Sequence, residues 1–273
     1  MSGEAEEFSQ VADFKEECDV LAALIEALPE DRYEAATQFK GWTVNDVLVH
    51  FHYWNRAAHL SATDPEAFKA LLGELLPALS KGGLRRAENA AISERGLALF
   101  ALWRAYADEM AAAWAGFDPK RRVAWVGPEM SLRSAITARQ METWAHGQEL
   151  FDLAGVERRE SDRVRNIVRL GLNTFGWSFQ VNGETPPAEP PLLRLTAPSG
   201  AVWTFGKEGT EDRIEGSAVE FAQVVTQTRN VADTALRVTG AVATRWMAIA
   251  QCFAGPPETP PAPGARFKTP SAA

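Results

Sequence analysis

The stretch from Leu132 to Leu153 limits what this chain can fold into more than any other. Leu132, Ile136, Leu150 and Leu153 recur at helical spacing with Thr143 on the same line, and Ser131 and Gly155 bracket them as N-cap and C-cap. A helix of about six turns is predicted. The middle of its inward face holds Arg139, Glu142 and His146, where the pattern calls for Leu or Ala. A charge inside a core is costly unless it is paired or coordinates a metal. Glu142 and His146 stand four apart on one helix face, which suits two ligands of one ion, with Arg139 a turn earlier as a supporting partner or clamp. A polar cluster tying two helices together fits the same spacing, so spacing alone leaves both readings open.

Composition narrows the partners. A chain of 273 residues is long enough for a large core and is expected to hold two domains. A formal net charge of −8 argues against a broad nucleic-acid-binding surface and against docking on anionic membranes. Cys18 and Cys252 are too few and too far apart for a disulfide framework or a Cys-type zinc site. Met1–Gln10 is acidic without an apolar core segment, and no apolar run approaches a membrane span, so a cytoplasmic location is expected.

In chain order, Ala5–Leu28 reads as an amphipathic helix with a stripe of Phe8, Val11, Phe14, Cys18, Leu21 or Ala22, and Ile25. Gly41 breaks the chain, Thr43 is a natural N-cap, and Asp46 completes an acidic capping box for a helix to about Thr63. Val47, Phe51, Trp54 and Ala58 form its apolar face, and His50 falls among them. His52 is rotated about 200° away with Asn45, Arg56 and His59, a side expected to face solvent. Of the four histidines, His50 and His146 are therefore inward, and two inward His with an inward Glu are harder to explain by packing alone. Asp64-Pro65 opens a helix to about Leu79, Ser80–Gly83 interrupts it, and one long helix is predicted over Leu84–Ala115. Its stripe is Leu97, Phe100, Trp103 or Arg104, Ala107, Met110 and Trp114. Arg85 and Arg86 at its start are candidates for an anion clamp, although solvated arginines are the plainer reading. Val123–Val126 is a short extended piece, and Gly127-Pro128 a turn. Residues 1–157 thus spell a helix bundle, and such bundles build metal sites from inward residues on facing helices.

Gly41-Trp42-Thr43-Val-Asn-Asp46-Val-Leu-Val-His50, followed far downstream by Glu142-Thr-Trp-Ala-His146-Gly-Gln, resembles the DinB-like metal-binding superfamily. The closer resemblance is to its branch of mycothiol-dependent maleylpyruvate isomerases. The resemblance covers roughly the first 160 residues and implies a mainly α fold, a DinB-like four-helix bundle followed by a small α+β C-terminal domain. It also implies that His50, Glu142 and His146 bind one divalent metal, usually zinc, and that mycothiol serves as thiol cofactor. Family isomerases carry an arginine that holds the substrate carboxylate, a place that Arg85 or Arg86 would take here.

The remainder is less regular. Ser161–Gln180 reads as a helix, so residues 158–191 are expected to be a helix followed by the Pro-rich linker Val181–Pro191. Leu192–Ala197 and Ala201–Phe205 alternate with period two around Pro198-Ser-Gly200, a hairpin signal, and Arg213–Gly216 offers a third strand. Ser217-Ala-Val-Glu220 is a capping box for a helix to about Thr228, and Asp233–Phe253 reads as a helical run interrupted at Gly240. Residues 192–254 form the expected α+β domain and 255–273 a disordered Pro-rich tail. Ile214–Phe253 also resembles a segment associated with wyosine base formation in tRNA, but Arg213, Arg229, Arg237 and Arg245 do not amount to a basic patch.

Three protein ligands and an open fourth position are the arrangement of a catalytic zinc. Such a site suits two enzymes. One holds a low-molecular-weight thiol for attack on a small electrophilic substrate, as a mycothiol-dependent isomerase or S-transferase; the other activates water for hydrolysis, with Glu149, one turn beyond His146, as general base. Arg139 stands ready to hold the thiol cofactor. A non-catalytic metal-binding or stress-response protein is the third reading.

Overall fold

The structure is a computed structural model and describes residues 8–269, with the side chains of residues 79–82 outside the description. The predicted first-helix residues before position 8 and the last four residues of the tail lie outside the described residues. The chain divides into two compact units, Met1–Leu150 and Phe151–Ala273. A helix bundle and a small α+β domain are both present, as expected.

In the first unit, α1 (Ser9–Glu26), α2 (Val44–Thr63), α3 (Pro65–Gly82), α4 (Leu84–Ala91) and α5 (Gly96–Trp114) precede a two-stranded antiparallel ribbon. That ribbon, β1 (Arg122–Val123) with β2 (Met130–Ser131), leads directly into α6 (Leu132–Ala154). The capping box at α2 forms as predicted. The Thr43 hydroxyl accepts from Asp46 N at 3.1 Å, and Asp46 accepts from Thr43 N at 2.9 Å. The Ser131 hydroxyl likewise accepts from Ser134 N at 3.1 Å at the start of α6. The α1 stripe of Val11, Phe14, Cys18, Leu21, Ala22 and Ile25 is buried, and α5 packs against both α1 and α2.

Two expectations for this unit need correction. The long helix over Leu84–Ala115 is two helices, α4 and α5, separated by Ile92–Arg95. Gly96 takes φ 58°, open to glycine at little cost, and donates its N–H to Asn45 Oδ1 at 2.8 Å. Arg95 caps the break by donating to the Ile92 carbonyl at 2.7 Å and to Asn89 Oδ1 at 2.7 Å. In α5, Leu97 is exposed and Leu99 takes its place in the core. The second correction concerns α2, whose presumed solvent face is enclosed. Asn45 and His52 are buried at 3% and 7% exposure, His59 is half-buried, and Arg56 alone of that set is exposed. The His52 and His59 rings both pack edge-on against Tyr106 of α5, and Trp114 donates to His59 Nδ1 at 3.1 Å. A helix surrounded on nearly every side has no polar face to read from periodicity.

The second unit adds α7 (Arg165–Asn173), α8 (Phe175–Val181), β3 (Leu192–Thr196), β4 (Val202–Phe205), β5 (Arg213–Ser217), α9 (Ala218–Val225), β6 (Arg237–Thr239) and α10 (Ala241–Ile249). The strands lie in the order β4-β3-β5-β6, with β3 and β5 parallel and the other pairs antiparallel. Trp246 of α10 packs edge-on against Phe175 and Phe221 in its core. The Ser161–Gln180 helix is broken at Thr174, whose hydroxyl donates back to the Leu170 carbonyl at 2.8 Å. In 233–253 the α-helix forms only after Gly240, because Val238 pairs with Ile214 as an edge strand. Ser217 caps α9, but Glu220 accepts from Ala235 N at 3.0 Å instead of closing the box. Residues 182–191, read as an interdomain linker, lie inside this unit, where Glu184 pairs with Arg245 of α10. The tail through residue 269 is ordered. Gln227 Nε2 donates to the Glu258 carbonyl at 3.0 Å, Arg266 to the Gln227 carbonyl at 2.6 Å, and Thr269 N to the Asp152 carbonyl at 2.8 Å. Of the four arginines weighed for nucleic acid, Arg229, Arg237 and Arg245 are each paired with a carboxylate.

Candidate metal centre

Helical phase places Asp46, His50 and Trp54 along one line of α2, and Glu142 and His146 along one line of α6. The two lines face each other. His50 Nε2 lies 3.4 Å from Glu142 Oε2, and His146 Nε2 lies 3.4 Å from the same oxygen. One ligand atom from each residue falls within 4.8 Å of the others, the group of three His, Cys, Asp or Glu side chains that meets this condition among the described residues. For bonds of about 2.0–2.2 Å at tetrahedral angles, neighbouring ligand atoms stand about 3.3–3.6 Å apart, a spacing that the two histidine–Glu142 pairs already have. His50 is buried, whereas the Glu142 and His146 side chains keep 21% and 12% exposure, which leaves one side of the centre open to a ligand.

Electrostatics follow the geometry. Burial opposes a charge on His50, but the Glu88 carboxylate and its hydrogen bonds to Glu142 and Glu88 outweigh that and raise its pKa to about 9. Burial pushes His146 below its ordinary value despite the bond to Glu142. Glu142 is held well below the usual carboxylate range, because its bonds to His146 and His50 overcome burial. The Glu88 and Glu142 carboxylates thus favour the protonated form of the His50 ring.

Three groups that periodicity did not single out complete the surroundings. Glu88 of α4, fully buried, places Oε1 2.9 Å from His50 Nδ1, and Trp54 Nε1 donates to the same oxygen at 2.5 Å. A Ser-Glu-Arg-Gly stop at positions 93–96 was the available signal that α4 is a separate helix. Trp42 stacks on the His146 ring with centroids 5.3 Å apart and planes at 8°, and Phe39 meets that ring edge-on at 4.8 Å. Both aromatics sit on the loop before α2, closed by the bridge between Ala36 and Thr43.

The other candidate residues fall at different distances from the cluster. Arg139 is buried at 4% exposure, with Nη2 3.8 Å from Glu142 Oε1, and its Nε and Nη1 have no hydrogen-bond partner among the described residues. Arg85 and Arg86 are exposed at the start of α4; Arg85 donates to the Gly41 carbonyl at 3.3 Å and lies 3.7 Å from Asp46. Glu149 is buried on α6 at 1% exposure, outside the three-residue group.

Comparison with known proteins adds a family and a fold. The model described as the mycothiol maleylpyruvate isomerase N-terminal domain matches residues 14–151. Two uncharacterized Mycobacterium tuberculosis proteins, from strains CDC 1551 / Oshkosh and ATCC 25618 / H37Rv, are each 38% identical over 250 residues, covering 90% of this chain and 96% of theirs. Among solved structures, a mutant of the mycothiol-dependent maleylpyruvate isomerase is similar with a TM-score of 0.52 and 17% identity, covering 79% of this chain and 87% of that one. That level of identity carries the fold alone. Among the described residues, no helix is long and apolar enough to cross a membrane.

Proposed function

Because this chain belongs to the mycothiol maleylpyruvate isomerase N-terminal domain family, we propose that it is a metal- and thiol-dependent enzyme. In this reading it isomerises, or transfers a thiol to, a small electrophilic substrate, with mycothiol as the thiol. His50, Glu142 and His146 hold one divalent ion, with zinc the first choice for three nitrogen and oxygen ligands with an open fourth position. Once bound, the ion supplies a Lewis acid that lowers the pKa of a thiol in that position. One observation carries the reading: one ligand atom each from His50, Glu142 and His146 lies within 4.8 Å of the others, and among the described residues no fourth His, Cys, Asp or Glu belongs to the group.

The chain's own residues then divide the work. Glu142 contributes the single carboxylate of the ligand set, so one negative charge faces a divalent ion and an anionic fourth ligand is favoured. Trp42 and Phe39 wall one side of His146, exclude water there and offer an apolar face to the substrate. Buried Arg139 has two nitrogens, Nε and Nη1, whose N–H groups can serve an acidic group of the thiol or substrate. Arg85 is beside the aromatic loop and, with Arg86, draws anionic substrates to it. In isomerisation a sulfur–carbon bond forms at an activated double bond, the remaining single bond rotates, and the same sulfur–carbon bond breaks to return the thiol. A cytoplasmic location and small-molecule partners complete the proposal. Glu149 enters only in the hydrolytic alternative, which needs water in place of a thiol.

An assay of maleylpyruvate isomerisation by metal-loaded protein, with and without mycothiol, tests this reading. Turnover that requires both components and disappears in His146→Ala supports it. Thiol-independent hydrolysis of a test ester or amide, with no isomerisation, overturns it.

A further inference from the structure

We propose that Glu88 is the positioning residue of the metal centre, fixing the tautomer and the aim of His50 through the ring nitrogen that faces away from the ion. The inference rests on the metal-centre reading above and assigns α4 a part in it.

A carboxylate only accepts hydrogen bonds, so the 2.9 Å contact places a proton on His50 Nδ1. Once Nδ1 is committed, a neutral ring has its lone pair on Nε2, the atom 3.4 Å from Glu142 Oε2. Trp54 Nε1–H donates to the same Glu88 oxygen at 2.5 Å, and Trp54 is one turn beyond His50 on α2. Glu88 thereby bonds two successive positions on one face of α2, which holds both the carboxylate and the imidazole plane. A metal-bound imidazole whose other N–H meets a carboxylate is also the more basic ligand.

The local fold is built to deliver this carboxylate. Asn89, next to Glu88, donates to Asp46 Oδ1 at 2.7 Å, and Asp46 lies one turn before His50. Arg95 in turn donates to Asn89 Oδ1 at 2.7 Å, and Asn45 accepts from Gly96 N at 2.8 Å. The break between α4 and α5 thus fixes the register of α4 against α2, with Asn89 on Asp46 and Glu88 on His50. His146 is held differently, by the stacked Trp42 and edge-on Phe39 rings. Trp42 also packs against His50, with centroids 5.4 Å apart, so the Glu88 carboxylate is the support that sets His50 apart.

The test compares zinc affinity of the full chain with that of Glu88→Gln and Glu88→Leu, by competition with a chromophoric chelator. The His50 Nδ1–H resonance is followed in the zinc-loaded proteins by nitrogen-15 NMR. Leucine should weaken zinc binding by about 10- to 100-fold. Glutamine keeps an acceptor but not the charge and should fall between leucine and the unaltered chain. The Nδ1–H signal should be far downfield in the unaltered protein, move upfield in the Gln variant and be lost to exchange in the Leu variant. Circular dichroism of both variants separates a folding failure from a ligand effect, and the near-isosteric Gln variant keeps the test available if Leu does not fold. Unchanged affinity and unchanged Nδ1–H in a folded Gln variant overturn the role of Glu88 while leaving the metal centre intact. Failure of the unaltered chain to bind stoichiometric zinc overturns the metal centre itself, and this inference with it.

Discussion

His50 Nε2 lies 3.4 Å from Glu142 Oε2, although 92 residues separate the two in sequence. His146 Nε2 meets the same oxygen at the same distance. A single carboxylate oxygen thus joins histidines from α2 and α6.

The first prediction separates ligand from packing histidine. His146→Ala should abolish stoichiometric metal while leaving the helical circular dichroism signal largely intact. His52→Ala should keep full metal content, yet lose about 1–3 kcal/mol of stability by opening a cavity against Tyr106. Metal analysis and denaturant titration of both variants check this. Equal metal loss in the two would contradict the assignment of His50 as the α2 ligand.

The second prediction concerns pH. The pKa of His50 is raised to about 9, so the ring is protonated at neutral pH and must shed that proton to bind metal. Glu142 is already ionised and His146 is shifted down, so neither adds a second proton. Calorimetry in buffers of differing ionisation enthalpy should find about one proton released per ion near pH 7. Apparent affinity should climb as pH approaches 9 and then level. Stability of the metal-free protein runs the other way. A raised folded-state pKa contributes stability that is complete below the unfolded value near 6.5 and is lost as pH rises through about 9. Metal-loaded protein should not show that loss.

How much of this was legible depends on what each residue depends on. His50, Glu142 and His146 were found because polar residues on an apolar helical stripe stand out by phase alone, and the Thr43–Asp46 capping box is a local signal. His52 was misassigned because phase says which side a residue faces but not whether that side is covered. Glu88 was overlooked for a different reason: its role exists only once the chain breaks at Ile92–Arg95 and α4 turns back on α2. Strand β6 likewise depends on its partner β5 rather than on its own composition. The prolines of the tail suggest disorder, whereas hydrogen bonds from Gln227, Asn230, Gly264, Arg266 and Thr269, with others along its length, hold it.

The third prediction follows from that tail. Truncation after Gly255 removes the Glu258 and Arg266 partners of Gln227 and the Thr269 partner of the Asp152 carbonyl, so the second unit should melt at lower temperature. Limited proteolysis should cut first between residues 182 and 190, which are irregular and largely exposed. Cleavage within 258–269 ahead of that segment would mean that the tail contacts contribute little.

The fourth prediction addresses the loop and helix entry that carry Trp42 to His146. Thr43→Ala removes the hydroxyl that accepts from Asp46 N and should cost about 0.5–2 kcal/mol. Because Trp42 adjoins that cap, the variant should also bind metal somewhat more weakly. Thermal melts with and without zinc would register both effects, and an unchanged melt would argue that the cap is dispensable.

The central claim is that three protein ligands leave the fourth position of the ion to an external thiol. Cobalt in place of the native metal makes the ligand visible, because thiolate ligation produces a strong near-ultraviolet charge-transfer band that water does not. Adding mycothiol to the cobalt-loaded protein should produce that band, and the Glu142→Ala variant should lack it. A cobalt spectrum unmoved by mycothiol, in a protein with full cobalt content, would contradict the claim.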